Sequence, residues 1–365
     1  MLSELLIETY RGIKNLDLGR LGKVNIIAGA NNTGKTSILE IIRSMEAPND
    51  IRQWRKIGSR DNLDNVVVVG QKKSTYETID ALFSYDFDGE GDEIKYSGIY
   101  DNKSFAVEIK REVTDVFVSE KELEEYQVFS RIDARKHAGM NVEYDTRRME
   151  LWYQVNDFEV GRDEIYDVPG TSFGRGTKRK LEELAKPALY ISPVQHAKNQ
   201  LYLKSILTDP ELYEQFTEIM RHFDPEFLSI NSVDGNYVVL SKNHKKGLLL
   251  NAYGDGMKKA MLLLSAVIRA KNGILLLDEF ETAIHVSTMK NVFEWIITTA
   301  VELNVQIFMT SYSIEAIESV LKCSPELQKE IRMITLVKVE EQLKVRNVDG
   351  EKAVQLLDEY GLELR

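Results

Sequence analysis

A short segment near the amino terminus constrains the fold of this chain more than any other part of the sequence. Residues 29–36 read Gly-Ala-Asn-Asn-Thr-Gly-Lys-Thr, a complete G-x-x-x-x-G-K-[ST] phosphate-binding loop. The apolar run Val24 to Ala28 precedes the loop, and a helical pattern follows it. This order predicts a nucleotide site, because the loop N–H groups and the positive end of the helix face the same anion.

The loop sequence assigns roles toward ATP and Mg²⁺, which are the expected cofactors. Lys35 is expected to reach the β- and γ-phosphates, so we count it among the catalytic residues as well. The hydroxyl of Thr36 is expected to bind Mg²⁺. The predicted nucleotide-binding residues of this segment are Gly29, Asn31, Asn32, Thr33, Gly34, Lys35, Thr36 and Ser37.

A second motif, residues 274–279, indicates that the bound nucleotide is hydrolysed. Ile274 to Leu277 is an apolar run that predicts a buried strand, and two acids follow it directly. Asp278 is expected to hold a Mg²⁺-bound water beside Thr36. Glu279 is expected to face the γ-phosphate and polarise the attacking water as a general base. The apolar run followed by Asp and Glu is therefore typical of ATP hydrolysis by two carboxylates.

Composition excludes several classes of protein. The chain has 365 residues, 43% of them hydrophobic, which predicts a large core divided between two lobes. Cys323 is the only cysteine, so an internal disulfide is excluded. Neither a membrane span nor a signal peptide is predicted, so we expect a cytoplasmic protein without a membrane partner. The net charge of −11 argues against a surface that coats DNA.

The order of the patterns predicts an α/β fold, a P-loop NTPase with a mainly parallel core sheet. Alternating residues between 66 and 110 predict an antiparallel β subdomain, including a strand over Thr78 to Asp86. We expect residues 1–110 to form the amino-terminal part of the nucleotide-binding head and residues 111–185 to be an insertion, a candidate partner-binding region. Residues 186–365 are expected to supply a helical lobe and the rest of the head.

Several motifs together resemble a known family. The chain is similar to ATPases of the OLD/RecF type, which are relatives of SMC proteins and have an ATP-binding-cassette (ABC) type head. The resemblance spans nearly the whole chain and is weakest over residues 111–185. The motifs that carry it are Tyr10-Arg11-Gly12, the loop at 29–36, Tyr253-Gly254-Asp255-Gly256, Asn272 to Glu279, and Thr310-Ser311-Tyr312-Ser313.

The resemblance implies that two subunits enclose the nucleotides and that a glycine-rich signature completes the partner's site. Here Gly254 and Gly256 are in that segment, which begins the helix that carries Lys258. A glycine turn at a helix N-terminus suits a γ-phosphate. The resemblance also implies a glutamine that binds the metal, for which Gln195 is the candidate and Gln71 the alternative. Arg11 is expected either to approach the nucleotide or to have a structural role at the surface.

Departures from the family pattern predict slow turnover. The resemblance implies a histidine after the strand Val305 to Thr310, but this chain has Tyr312 there, which we count as a catalytic candidate. A tyrosine donates one hydrogen bond and does not become cationic near neutral pH. The signature has Ala252 and Tyr253 before its glycines and lacks the usual serine. These losses are expected to slow hydrolysis more than they weaken ATP binding.

Three functions follow as hypotheses from the resemblance. The leading one is a homodimeric or larger ATPase that regulates a separate effector, a nuclease or toxin, in anti-phage defence or a toxin–antitoxin-like system. No acidic cluster of the TOPRIM nuclease type follows Asp278, so we expect that activity in another polypeptide. The alternative is a RecF-like DNA-repair ATPase, for which nucleic acid stays open as a partner. The third, a transporter subunit, is disfavoured by the missing standard signature. Basic clusters that keep the alternative open are Arg52 to Arg60, Arg131 to Lys136, Arg147-Arg148 and Arg175 to Lys180.

Overall fold

The computed structural model describes most of the chain, which forms two compact units. The described residues are 1–60, 74–83, 92–119, 143–167, 176–179, 181, 184–198, 201–340 and 342–360. The first unit contains Met1, Leu18–Leu39 and Lys186–Arg365, and the second contains Leu2–Asp17 and Glu40–Ala185.

Helices and strands are numbered here in chain order. The helices are α1 (Lys35–Ser44), α2 (Ile51–Gly58), α3 (Thr75–Asp80), α4 (Lys204–Leu207), α5 (Pro210–Met220), α6 (Asp255–Arg269), α7 (Val286–Glu302), α8 (Ile314–Leu321) and α9 (Gly350–Tyr360). The strands are β1 (Leu2–Tyr10), β2 (Ile13–Arg20), β3 (Val24–Gly29), β4 (Glu93–Tyr100), β5 (Lys103–Ser119), β6 (Glu143–Val155), β7 (Phe158–Tyr166), β8 (Gly176–Lys178), β9 (Ala188–Ile191), β10 (Phe227–Val233), β11 (Asn236–Ser241), β12 (Leu248–Leu249), β13 (Ile274–Leu277), β14 (Gln306–Ser311), β15 (Ile331–Val339) and β16 (Gln342–Asp349).

The first unit is built on a six-stranded sheet with the order β16-β15-β3-β14-β13-β9. Neighbouring strands from β15 to β9 are parallel, and β16 returns antiparallel to β15. Every residue of β3, β13 and β14 is buried, as expected for strands covered on both faces. Strand β3 lies between strands from much later in the chain, and such a switch point opens a crevice at the carboxyl edge of a sheet. The predicted mainly parallel core is confirmed.

Helix α6 lies at the centre of the helical part of this unit. Its residues from Lys259 to Ile268 are all buried, so this helix is surrounded by protein. The aromatic rings of Phe280 and Phe293 meet edge to face with centroids 4.9 Å apart. The Tyr213 hydroxyl accepts from the Ile230 N–H at 3.0 Å, which fastens α5 to the three-stranded sheet β10-β11-β12.

The second unit contains a seven-stranded sheet with the order β2-β1-β4-β5-β6-β7-β8. The pairings from β1 through β8 are antiparallel, and β5 and β6 stay in register from Val107 to Ser119. The buried amide of Asn49 donates to the carbonyls of Val160 and Arg179, both at 3.0 Å. Buried carbonyls need such donors, so this side chain joins the segment after α1 to the sheet.

One predicted strand is wrong. The alternation over Thr78 to Asp86 predicted a strand, but Thr75 to Asp80 forms helix α3. Ser74 caps this helix, because its hydroxyl accepts from the Glu77 N–H and the Glu77 carboxylate accepts from the Ser74 N–H. These two reciprocal bonds form a capping box, which stabilises the beginning of a helix and is not visible in the alternation of apolar residues. Residues 81–83 form a turn, and residues 84–86 of the predicted strand lie outside the described residues.

The second compact unit ends at Ala185, where one boundary was predicted, whereas no division between the two units falls at residue 110, the other predicted boundary. Strand β5 crosses residue 110 without interruption, and β6 to β8 continue the sheet that contains β1 and β4. Residues 111–185 therefore share a sheet with earlier strands, and their predicted partner-binding role stays a prediction. Among the described helices, none has both the length and the apolar composition needed to cross a membrane.

Candidate nucleotide site

The phosphate-binding loop has a compact backbone conformation that depends on its two glycines. Gly34 has φ of +84°, in the region that side chains rarely adopt. A Cβ on Gly29 would lie 2.8 Å from the Thr33 hydroxyl oxygen and 2.9 Å from the Leu336 carbonyl oxygen. The Lys35 ammonium donates to the carbonyls of Gly29 and Ala30 at 2.7 and 2.8 Å. The loop therefore curls around its own lysine.

The Asp278 carboxylate, at the end of β13, receives hydrogen bonds from three hydroxyl groups. Thr36, at the beginning of α1, donates to both carboxylate oxygens at 3.1 and 3.2 Å. Thr310 of β14 donates at 2.6 Å, and Tyr190 of β9 donates at 2.9 Å. The side chain is buried, and the register of the parallel strands brings all three donors to one edge of the sheet. The structure therefore brings together the two predicted metal ligands, Thr36 and Asp278.

Glu279 follows in a strained backbone conformation. Its φ is +44°, and its N–H donates to the Thr310 hydroxyl at 2.9 Å. Burial raises the pKa of the Glu279 carboxyl, and the neighbouring carboxylates of Asp278 and Glu281 raise it further. A carboxylate with a raised pKa is a better proton acceptor. The arrangement therefore suits the predicted general base.

The residues fit a bound Mg²⁺. Thr36 and Asp278 present hydroxyl and carboxylate oxygens within hydrogen-bond distance of each other, and Mg²⁺ prefers oxygen ligands. In the parts of the chain that the structure describes, no group of three or more His, Cys, Asp or Glu is arranged to hold a metal. Mg²⁺ is commonly bound by one or two protein ligands together with phosphate and water. Thr36 and Asp278 would hold the ion, which would neutralise phosphate charge.

Gln195 lies in a 3-10 turn shortly after β9. Its side-chain oxygen accepts from the Ser192 N–H at 3.4 Å, and its amide donates to the Tyr202 hydroxyl at 3.2 Å. Strand β9 runs beside β13, so the turn begins at the same edge of the sheet as Asp278. The role of Gln195 as a metal ligand stays a prediction, and the alternative Gln71 lies outside the described residues.

The signature glycines begin helix α6. Gly254 is the N-cap residue, and a Cβ there would meet no atom within 4 Å. A Cβ on Gly256 would lie 2.9 Å from the Ala283 carbonyl oxygen, so this glycine permits a close approach to the loop after β13. The Lys258 ammonium pairs with Asp255 at 2.6 Å. The structure thus gives Gly254 the open position that contact with a ligand requires.

Two other predicted site residues have defined surroundings. The Arg11 guanidinium lies 3.0 Å from the Glu40 carboxylate and donates to the Tyr10 hydroxyl at 3.2 Å. These contacts support its structural role, and an approach to nucleotide stays a prediction. The side chain of Tyr312 is 48% exposed, while its N–H donates to Glu281 at 3.3 Å.

Sequence reasoning missed three members of the site: Tyr190, Thr310 and Glu281. Glu281 accepts from the Ser311 hydroxyl at 2.7 Å. Tyr190 reaches Asp278 because β9 neighbours β13, a pairing that the sequence does not encode locally. Thr310 belongs to the motif Thr310 to Ser313, which the sequence analysis used only for the family resemblance. Its place at the end of the strand next to β13 could have indicated a contact with Asp278.

The fold and site together define a P-loop ATPase with an ABC-type head. A family model described as "AAA domain, putative AbiEii toxin, Type IV TA system" matches residues 24–318. The chain therefore belongs to this family of AAA-domain ATPases, and it is an ATP-hydrolysing enzyme.

Individual relatives agree with this class. An ATP/GTP phosphatase of Helicobacter pylori is 22% identical over 332 residues, which are 87% of each chain. An uncharacterised protein of Methanocaldococcus jannaschii is 28% identical over 112 residues, covering 31% of this chain and 98% of that protein. Among solved structures, an SMC head bound to the C-winged helix domain of ScpA has a TM-score of 0.51 at 12% identity. That match covers 97% of this chain and 99% of the SMC head, and it supports the ABC-type fold.

Proposed function

We propose that the protein binds ATP with Mg²⁺ at residues 29–36 and hydrolyses it with Glu279 as the general base. The observation that carries this proposal is the joining of Thr36 to Asp278 directly before Glu279, whose pKa is raised by burial. Lys35 binds the β- and γ-phosphates, and Asp278 positions the metal.

Steady-state hydrolysis of Mg²⁺-ATP by the purified protein tests the chemistry. Lys35→Ala is expected to lose ATP binding, whereas Glu279→Gln is expected to bind ATP and lose turnover by about a hundredfold or more. Glu302→Gln, an exposed acid at the end of α7, is the matched control and should keep wild-type turnover. Undiminished turnover in Glu279→Gln would remove that residue from the reaction.

The proposal extends to assembly: two copies enclose the nucleotides, and Gly254, Gly256 and Lys258 of each copy complete the other's site. The open N-terminus of α6 supports this, because Gly254 provides no side-chain cap and the first N–H groups of a helix suit a γ-phosphate. Light scattering should show Glu279→Gln doubling in mass with Mg²⁺-ATP, while Lys35→Ala stays unchanged. A mass that does not respond to ATP in either variant contradicts a nucleotide-enclosing dimer.

We further propose that the assembled ATPase regulates a separate nuclease or toxin in anti-phage defence or a toxin–antitoxin-like system. The description of the matched family, which names a putative toxin and a type IV toxin–antitoxin system, supports the toxin–antitoxin part of this proposal. Affinity purification from the native host should recover the effector in different amounts with Glu279→Gln and with Lys35→Ala. Equal recovery with both variants would separate effector binding from ATP.

Slow turnover is part of the same proposal. Tyr312 stands where the resemblance implies a histidine, and its exposed side chain is available to a nucleotide. Tyr312→His is expected to raise kcat about threefold or more, since an imidazole can carry positive charge near the γ-phosphate. Tyr312→Phe removes only the hydroxyl and is the matched comparison. Fast wild-type turnover that Tyr312→His leaves unchanged would contradict this reasoning.

A further inference from the structure

The Asp278 carboxylate is held by donors on the two strands that flank β13. Thr310 of β14 donates to Oδ1 at 2.6 Å, and Tyr190 of β9 donates to Oδ2 at 2.9 Å. Hydrogen bonds to an ionised carboxylate are about twice as strong as those between neutral groups. Each carboxylate oxygen therefore has one donor from the core sheet, and rotation of the carboxylate would disturb both bonds.

The register of the sheet explains why Tyr190 reaches this carboxylate. Tyr190 lies opposite Leu276, two residues before Asp278. Side chains two residues apart on a strand point to the same face, so Tyr190 and Asp278 share one face of the sheet. Such positions are about 6.6 Å apart along a strand, a distance that the long phenol side chain can cover and a serine or threonine cannot.

Thr36 is a third donor of a different kind. Its hydroxyl oxygen lies 3.2 Å from Oδ1 and 3.1 Å from Oδ2, so it faces both oxygens of the carboxylate. Thr36 is itself a predicted ligand of Mg²⁺. Tyr190 and Thr310 belong to strands of the sheet and hold the carboxylate from beside it. They are therefore the partners that fix the orientation of a metal ligand.

The two strand donors differ in what the structure joins them to. Thr310 also accepts from the Glu279 N–H at 2.9 Å, so it holds the predicted metal ligand and the predicted base together. Tyr190 donates to the carboxylate of the metal ligand. Removal of the Tyr190 hydroxyl therefore changes the support of Asp278 and keeps the bond between Thr310 and Glu279.

We propose that Tyr190 is a positioning residue that fixes the Asp278 carboxylate for Mg²⁺ and gives the site a preference for Mg²⁺ over Ca²⁺. This inference rests on the proposed Mg²⁺-ATP site. Mg²⁺ requires nearly ideal octahedral geometry with ligands at about 2.0–2.1 Å, whereas Ca²⁺ accepts longer and less regular arrangements. A carboxylate that is free to rotate therefore costs Mg²⁺ more binding free energy than it costs Ca²⁺.

The test is the metal concentration at half saturation, read from the fluorescence of a labelled, non-hydrolysable ATP analogue that binds the purified protein. Tyr190→Phe removes the hydroxyl and keeps the ring. Its half-saturating Mg²⁺ concentration is expected to rise about tenfold, and the value for Ca²⁺ less than about threefold. Tyr237→Phe removes the hydroxyl of another half-buried tyrosine, on β11, and should match wild type for both metals. Tyr190→Met is a second variant without a donor, in case Tyr190→Phe does not fold.

Turnover provides a readout that a general loss of structure would not reproduce. At saturating Mg²⁺, Tyr190→Phe should keep kcat within about twofold of wild type, because Thr310 still holds Glu279. Thr310→Val should lose kcat even at saturating Mg²⁺, since that change also removes the bond to Glu279. A loss of kcat in Tyr190→Phe that saturating Mg²⁺ does not restore would contradict a role confined to the metal ligand.

The outcomes separate this inference from the proposed function. If Thr36→Ala loses the response to Mg²⁺ and Tyr190→Phe keeps it unchanged, the metal site stands and the role of Tyr190 is overturned. Equal rises for Mg²⁺ and Ca²⁺ in Tyr190→Phe would also overturn it, because geometry would then not distinguish the two metals. A wild-type protein whose analogue binding does not respond to Mg²⁺ would contradict the proposed site and this inference together.

Discussion

At the scale of single residues, the site is organised by hydroxyl groups around a carboxylate. Thr310 donates to Asp278 at 2.6 Å and accepts from the Glu279 N–H at 2.9 Å. One hydroxyl thus orients a predicted metal ligand through its proton and a predicted base through its lone pair. The buried position of Thr310 excludes water as a substitute, so both bonds depend on this side chain.

Thr310→Val keeps the shape of the side chain and removes both hydrogen bonds. We expect kcat to fall about tenfold or more, with a smaller change in ATP affinity, because the misorientation affects the reacting groups. Thr217→Val is the matched control, since the buried Thr217 hydroxyl has no hydrogen-bond partner among the described residues. Steady-state kinetics and ATP titration measure the two effects. Equal losses in both variants would point to general destabilisation.

Lys259 gives the free energy of unfolding a specific pH dependence. Burial lowers its folded pKa to about 8, below the value of about 10.4 for an unfolded chain. The unfolded state therefore binds more protons between these values, and the contribution of Lys259 to the free energy of unfolding rises with pH.

At pH 7, Lys259→Met should be more stable than wild type, by at most about 3 kcal/mol from this effect. The advantage should shrink as pH rises from about 8 to about 10. Besides burial, Lys259 also lowers the pKa of His196, so the two unfolding curves are compared between pH about 8 and about 10, the range that reports Lys259. Urea unfolding at several pH values measures it. A difference that is constant with pH would contradict the lowered pKa.

At the scale of elements, two glycines at the beginning of α6, the N-cap Gly254 and Gly256, have different constraints. A Cβ at Gly256 would lie 2.9 Å from a backbone carbonyl, whereas a Cβ at Gly254 would lie in open space. The glycine at 256 thus serves packing against the loop after β13, and the glycine at 254 leaves its surroundings accessible. The two glycines of this motif therefore have different steric surroundings.

Gly256→Ala is expected to lower the free energy of unfolding by about 1–2 kcal/mol, because the Ala283 backbone must move. Gly254→Ala should change it by less than about 0.5 kcal/mol, since its φ of −65° suits alanine. Chemical unfolding of the two variants provides the comparison. Equal free energies of unfolding for the two variants would show that the loop after β13 moves to admit the Cβ at no energetic cost.

Elements also show how far the sequence predicts the site. The loop at 29–36 and the Asp278-Glu279 pair were predicted because local order defines their chemistry. Tyr190 was not, because it depends on which strand neighbours β13. Lys259 was not distinguished from Lys258, because neighbouring helix positions point in different directions and only packing decides which is buried. Helix α3 was missed because its capping bonds outweigh the strand-like alternation.

At the scale of the whole molecule, the mainly parallel sheet was predictable from alternating strands and helices. The extent of the second sheet was not, because antiparallel pairing between distant segments leaves little local signal. Strand β5 runs for 17 residues through the boundary that was expected at residue 110. Long-range pairing thus decided the division of the chain, while local patterns decided its class.

Net charge makes a prediction for the whole chain. With −11 formal charges, we expect duplex DNA to bind weakly at physiological salt, since non-specific affinity depends on phosphate neutralisation. Fluorescence anisotropy with labelled duplexes, with and without Mg²⁺-ATP, measures this at several salt concentrations. Tight binding that responds to ATP and falls steeply with salt would favour the RecF-like alternative over effector regulation.

The turn that contains Tyr312 bears on how this enzyme can evolve. Glu281 holds the turn through the Ser311 hydroxyl and the Tyr312 N–H, and neither bond involves the aromatic ring. The side chain at residue 312 can therefore be replaced without loss of either hydrogen bond. In the proposed mechanism, natural variation at residue 312 would therefore adjust the lifetime of the ATP-bound state by single substitutions, while the backbone of the turn stays the same.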